Sequence, residues 1–346
     1  DNRGTHVAEL WDRLQSRRTA NRARWEEVES YIYATDTTSL QGGNLHDHTT
    51  HIPVVSEIRD DLSSIMYSTI LPHEDWLGWQ PFDREAMTAN KRKAVTAYIK
   101  NRHSMNSFDS TVRRLIQDVI DYGNCFAQVQ FVDETTLNAN GIPVGYKGPK
   151  VVRISPYDIV FDPTAASFER SHKIIRTVQS IGEFYDWAST TPQVDMVKAN
   201  SVVDRRSTYA SLSRTELNKA NQYTPDGFGS MSDYYEAGAV ELIWFYGDIW
   251  DATTKTLHRN RCVVVADRMN TLLDIECLNP DIYKAGWSDK PDNLWSQGPL
   301  EKIIGINYQI NHRENGKSDG LDRTLNPDRV FVGDVEEIYD ESTNQV

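Results

Sequence analysis

The sequence predicts an α+β fold, with a helical first third, a strand-rich middle and a long polar helix near its end. Three observations carry this. Apolar residues recur at helical spacing from residue 5 to 122, and from Cys125 the period drops to two. After Gly298 a helical segment runs to about Thr324 with little apolar content. A chain of 346 residues, 39% of them hydrophobic, can bury a sizeable core and more than one. The implied divisions are 1–123, mainly helical; 124–290, mixed, with a polar excursion at 189–236; 291–325, the long helix; and 326–346, a new strand region.

In the first part, Val7, Leu10, Trp11, Leu14, Trp25, Val28, Tyr31 and Ile32 keep helical spacing, with a break expected near Thr19. Arg17, Arg18, Arg22 and Arg24 lie between them and read as a solvated or ion-paired face, with phosphate contact as the alternative. A polar loop from 34 to 51 follows. Ile52-Pro53 then leads into a helix of Ile58, Leu62, Ile65, Met66 and Ile70, ended by Leu71-Pro72. Trp76 and Trp79 are expected to pack on that helix. Two more helices are expected at about 84–103 and 107–122, the second capped by Gly123.

Cys125, Ala127, Val129 and Phe131 alternate with Gln128 and Gln130, which predicts a strand with one wet face. Asn138 to Gly141 reads as a turn. Short strands are expected at Val151–Ile154, Ile159–Phe161 and Lys173–Gln179, with a short helix over Ile181–Ala188. Residues 189–236 lose periodicity and read as a surface excursion with isolated helical turns. Strands resume at Val240–Tyr246, Cys262–Ala266 and Leu272–Leu278, with Asp251 to Lys255 as a hairpin turn. An irregular, tryptophan-bearing segment after Pro280 delivers the chain to Gly298.

Gly298-Pro299 is a helix start, since proline suits a first turn where no N–H is needed, and Glu301 suits the positive end of the helix dipole. Leu300, Ile303, Ile304 and Ile310 keep helical spacing, but from His312 onward the segment reads as polar on every face. A single helix to Thr324 would be about 40 Å long. Such a rod bridges solvent between packed bodies more readily than it forms a core. Asn326-Pro327 ends it.

The formal charge of −13 and pI of about 5.2 describe a surface that repels nucleic acid and offers no general basic footprint. Cys125, Cys262 and Cys277 are odd in number and fit no metal or redox spacing, so they read as reduced thiols. No apolar run reaches membrane-span length and no secretory h-region stands at the N-terminus, so a soluble chain made inside a cell is expected, with no membrane partner. The start at Asp1 and the stop at Val346 soon after a new strand begins suggest the ordered part of a longer polypeptide.

Phosphate-loop, dinucleotide and Gly-x-Ser-x-Gly patterns do not occur, and Gly227-Phe-Gly-Ser lacks a strand–turn–helix setting. Asp60-Asp61 and Glu336-Glu337 read first as solvated surface. The one metal-like cluster is His46, Asp47, His48 and His51, whose imidazole and carboxylate groups suit zinc or iron if they converge. A polar loop entering a strand is the plainer reading. No catalytic residue and no cofactor is expected.

Several short motifs occur in a telling order: Ile52-Pro53 with Leu71-Pro-His-Glu-Asp-Trp76, Asp121-Tyr-Gly-Asn-Cys-Phe126, Ser155-Pro-Tyr-Asp158 with Phe161-Asp-Pro163, and Gln297-Gly-Pro-Leu300 with Ile306-Asn-Tyr-Gln309 and Asn311. In that order the chain resembles the portal, or head-to-tail connector, proteins of tailed bacteriophages, especially short-tailed phages. The resemblance implies a phage portal-like fold in which 1–290 form the wing, 291–325 the stem helix and 326–346 the start of the clip. The rest of the clip, a second stem helix and a crown would follow in that family.

It also implies a non-enzymatic subunit of a homo-oligomeric, twelvefold ring at one capsid vertex, serving genome packaging and ejection. Its partners would be the terminase, tail adaptor proteins, the major capsid protein and double-stranded DNA in the channel. Its location would be the virion, and the host cytoplasm during assembly. An acidic wall suits a conduit, because tight phosphate binding would stall translocation. Lys302, Arg313, Lys317 and Arg323 are the basic stem residues, facing DNA or, as the favoured reading, bridging to acidic neighbours. The alternatives are a metal-dependent enzyme at His46, Asp47, His48 and His51, and another virion structural protein such as a tail adaptor.

Overall fold

A computed structural model describes residues 2–33, 48, 50–72, 89–133, 136–137, 143–207, 239–251 and 254–325. The fold is mixed α and β, as the sequence indicates. Helices α1 (Asn2–Arg17) and α2 (Thr19–Ile32) flank a break at Arg18, one residue before the expected place. The break has a cause. The Arg18 guanidinium is buried and donates to the carbonyls of Pro156, Tyr157 and Ile159, while its Nε donates to Gln15 Oε1 at 2.8 Å. Burial lowers its pKa to about 9.

Helices α3 (Val54–Ile70), α4 (Ala89–Met105) and α5 (Phe108–Tyr122) follow. Residues 84–88 of the expected fourth helix, and Trp76 and Trp79, lie outside the described residues. Helix α5 carries two buried carboxylates about one turn apart, and each grips an arginine from another element. Asp118 meets Arg153 twice at 2.6 Å, and Asp121 meets Arg59 twice at 2.8 Å. Gly123 ends α5 in the left-handed region at φ +73°, as expected of a helix cap.

Strand β1 (Asn124–Asp133) begins where the period changes. It pairs antiparallel with β4 (Lys147–Ile154) on one side. The turn at 138–141 lies outside the described residues, but β2 (Thr136–Leu137) and β3 (Pro143–Val144) pair on either side of it.

A second, five-stranded antiparallel sheet has the order β5 (Ile159–Phe161), β6 (Lys173–Ser180), β7 (Ala239–Asp251), β8 (Thr256–Ala266), β9 (Asn270–Glu276). Both of its faces are covered. Val7, Leu10, Trp11 and Leu14 of α1 pack on Ile174, Ile243, Phe245, Val263 and Val265. Phe184 and Ala188 of α6 (Ile181–Thr190), with Ala199 and Val202 of α7 (Met196–Ser207), pack on Val240, Leu242, Val264 and Leu272. Double coverage explains the near-continuous apolar runs of β7 and β8, where each buried Val, Leu or Ile contributes about 2 kcal/mol. The β8–β9 turn places Asp267 and Arg268 at positive φ. Arg268 reaches back to Glu241 at 3.1 Å and to Asp12 at 2.7 Å, tying α1 to the sheet.

Two expectations need correction. Helix α7 runs for 12 residues where only isolated turns were expected; residues 208–238 lie outside the described residues. The segment after Pro280 is not irregular. It forms β10 (Ile282–Gly286), β11 (Ser288–Lys290) and β12 (Asn293–Gln297). Strand β10 joins the free side of β1, and Trp295 of β12 stacks on Phe161 at 4.4 Å beside Phe126 and Trp25. Strand β10 pairs with a partner far away in sequence, and β11 and β12 pair with each other over only a few residues, so local alternation does not reveal them.

Candidate functional site: the strapped helix and its root

The helix after Gly298 starts differently from the single rod expected. Pro299 leads a 3-10 turn at Leu300–Lys302, Ile303 interrupts, and α8 runs over Ile304–Leu325. Glu301 Oε1 accepts the Gly298 N–H at 3.3 Å. The root is clamped to the α5–β1 junction. Asn124 Oδ1 accepts the Ser296 N–H at 3.0 Å, and its Nδ2 donates to Ser296 O at 2.9 Å and Tyr122 O at 3.1 Å. One side chain thus does the work of a strand pair. A Cβ on Gly123 would lie 2.4 Å from the Gly298 nitrogen, so the backbones touch only because Gly123 has no side chain. Tyr122 donates its hydroxyl to Glu29 Oε1 at 2.6 Å and meets Trp25 edge-on. The Tyr-Gly-Asn motif is therefore the mount of the α8 root.

Beyond the root, α8 is not polar for want of a partner. Asn307, Asn311, Asn315 and Asp319 recur every four residues along one face, and Asn307, Asn311 and Asn315 are buried. An extended strap, His48 and residues 50–52, lies on that face. The Ile52 N–H donates to Asn311 Oδ1 at 3.0 Å, the Thr50 N–H to Asn315 Oδ1 at 2.9 Å and the His48 N–H to Asp319 Oδ1 at 3.1 Å. The match is geometric: four helical residues rise about 6 Å, and two extended residues span about 6.6 Å. Asn315 Nδ2 also returns a bond to Thr50 O at 3.3 Å. Asn307, one turn earlier, is fully buried, with neither amide atom bonded to a described residue. The polar inner face is therefore explained within one chain. This corrects the expectation that the segment is polar on every face and bridges solvent.

Away from the strap, α8 has no such cover among the described residues. Ile306, Leu321 and Leu325 are 58%, 58% and 67% exposed, and a Cβ on Gly305 or Gly320 would meet nothing within 4 Å. Lys302, Arg313, Lys317 and Arg323 are all exposed. Lys317 pairs with Glu314 at 2.5 Å on its own helix.

Of the metal-like cluster, His46 and Asp47 lie outside the described residues. His48 places Nδ1 2.7 Å from Asp319 and Nε2 3.2 Å from Asp322. His51, three residues on along the strap, instead puts Nδ1 3.3 Å from Asn311 Nδ2. The two imidazoles thus serve different rungs and do not converge. Among the described residues, no group of three or more His, Cys, Asp or Glu side chains is arranged to hold a metal.

One constellation that sequence reading missed resembles a nucleophile site. Ser296 Oγ donates to Asp289 Oδ1 at 2.5 Å and accepts from Lys284 Nζ at 3.1 Å, and burial lowers the Lys284 pKa. A serine–lysine pair can do acyl chemistry only if a substrate reaches the hydroxyl. Here Ser296 is 5% exposed, and a Cβ on Gly286 would lie 2.0 Å from Ser296 Oγ. The backbone of β10 covers the hydroxyl, so the trio staples β10 to β12.

No family model matches the chain, and no curated protein matches it. Among the described residues, no helix is long and apolar enough to cross a membrane.

Proposed function

We propose that this chain is a structural, non-enzymatic subunit of a homo-oligomeric ring, of the portal or head-to-tail connector kind, at one vertex of a tailed-phage capsid. The observation that carries this reading is the division of α8 into two faces. Its inner face is fixed to the body by the strap, while Ile306, Leu321 and Gly320, away from the strap, have open surroundings among the described residues. Glycine in a helix interior costs about 1 kcal/mol relative to alanine, and among the described residues nothing packs where a Cβ on Gly320 would stand. A neighbouring helix approaching closely would. The resemblance in motif order supports the same assignment, and the clamped root suits an element that must hold its direction.

In this reading twelve copies surround a channel for packaging and ejecting double-stranded DNA. The terminase docks during packaging, tail adaptors replace it, and the major capsid protein surrounds the ring. The protein resides in the virion, and in the host cytoplasm during assembly. Electron microscopy and mass measurement of the purified chain test it. End-on particles with a central hole and a mass near a dozen copies are expected. A monomer carrying one zinc or iron per chain would instead favour the metal-enzyme reading.

A further inference from the structure

The sheet of β10, β1 and β4 turns an apolar surface to solvent. In its register, Ala127, Val129 and Phe131 of β1 stand beside Tyr283 and Ala285 of β10 and beside Pro149 and Val151 of β4. Phe131 is 71% exposed, Tyr283 58% and Val129 36%. Helix α5 covers one end of this face, where Asp118 grips Arg153 opposite Ala127. The pair of Lys147 with Asp133, at 2.5 Å, closes the other end. Gln128 and Gln130 are on the opposite face, in a cleft that Thr177 of β6 also lines. An antiparallel sheet with one wet face ordinarily turns its polar side to water. Here the two sides are reversed.

A second apolar surface lies on α3. Of its 17 residues Val55 alone is buried, and near its C-terminal end Ile65 is 61% and Ile70 47% exposed. We propose that this end of α3, from a second copy of the chain, packs on the bare part of the β10–β1–β4 face and forms the repeated contact between ring neighbours. The inference rests on the ring reading above.

Area and fit select this occupant. Phe131 and Tyr283 alone leave roughly 250 Å² of side chain uncovered, and contiguous patches of a few hundred Å² mark interaction sites. With Val129 and Ala285 the face has the size and the lack of charge of the centre of an interface to which each partner gives about 800 Å². In a layered fold a bare sheet face is covered by a helix. A head-to-tail ring needs two unlike patches on every subunit that fit each other, and this chain carries a sheet face and a helix end. Two sheet faces closing on each other would make a dimer and leave Ile65 and Ile70 in water.

The test is native mass spectrometry of the full chain, of F131Q/Y283Q, of I65Q/I70Q, and of the two variants mixed in equal amounts. The wild type is expected to form rings, and each variant alone should need at least about tenfold more protein to assemble. The mixture should stop at dimers with one chain of each kind, because a single intact sheet face then meets a single intact helix end. Such dimers also show that both variants are folded, and the separated chains should melt with the wild-type monomer because all four side chains stand exposed. Rings from both variants at the wild-type concentration would overturn the inference and leave the ring standing. Loss of assembly in F131Q/Y283Q alone, or a mixture without mixed dimers, would also overturn it, since the sheet face would then meet something other than α3. A wild type that stays monomeric would overturn both.

Discussion

Asn315 holds Thr50 from both sides of one peptide position: its Oδ1 accepts the Thr50 N–H at 2.9 Å and its Nδ2 donates to the Thr50 carbonyl at 3.3 Å. A helix side chain thereby satisfies an extended segment as a neighbouring strand would.

Asn315→Leu should leave both Thr50 groups without that partner, and Asn311→Leu should do the same to the Ile52 N–H. A loss of about 1–3 kcal/mol per position is expected. Hydrogen exchange at residues 50–52 reads it directly. Exchange as slow as wild type in the double variant would mean the ladder does not hold the strap.

Gly123 and Gly320 should respond oppositely to alanine. At Gly123 the added Cβ meets the Gly298 backbone from a left-handed φ of +73°, so G123A should lose more than about 2 kcal/mol in denaturant unfolding. At Gly320 there is open space, so G320A should gain up to about 1 kcal/mol in the monomer. Under the ring reading it should also weaken assembly, and a variant both more stable and equally assembled would count against that reading.

Asp118 should titrate near neutrality. Burial outweighs the Arg153 guanidinium and holds its carboxyl up at about 6, well above the ordinary carboxylate range. The stability tied to this proton is fully present below the unfolded pKa, near 4, and is lost as pH rises through about 6. Carboxyl carbon shifts should show the midpoint, and urea unfolding of D118N should lack that portion of the pH slope. A midpoint at or below 4 would refute it.

Arg18→Lys should cost roughly 2 kcal/mol although charge is kept, because one ammonium cannot replace a fork that reaches three carbonyls of 156–159. Thermal unfolding measures the cost. An unchanged melting temperature would show that the carbonyls find other donors.

Much of the scaffold was legible in residue spacing. Val7, Leu10, Trp11 and Leu14 announced α1, Gly123 announced the end of α5, and the alternation after Cys125 announced β1 but with its faces exchanged, since Phe126 is buried while Val129 and Phe131 are exposed. Strands β10 to β12 were not legible, because Trp295 and Ile282 find their partners across the chain. The α8 site was half legible. The interval of four from Asn307 to Asp319 stands in the sequence, but reading the segment as polar on every face hid it. Its partner, the strap, is invisible to periodicity because its peptide groups make most of the bonds.

That last feature governs what variation can record. The rungs of α8 grip main-chain amides at 48, 50 and 52, so exchanging the side chain at Thr50 or Ile52 leaves those bonds in place. Drift can rewrite one half of the contact while Asn311 and Asn315 stay constrained. Paired substitutions, the usual trace of two segments touching, would not accumulate between them.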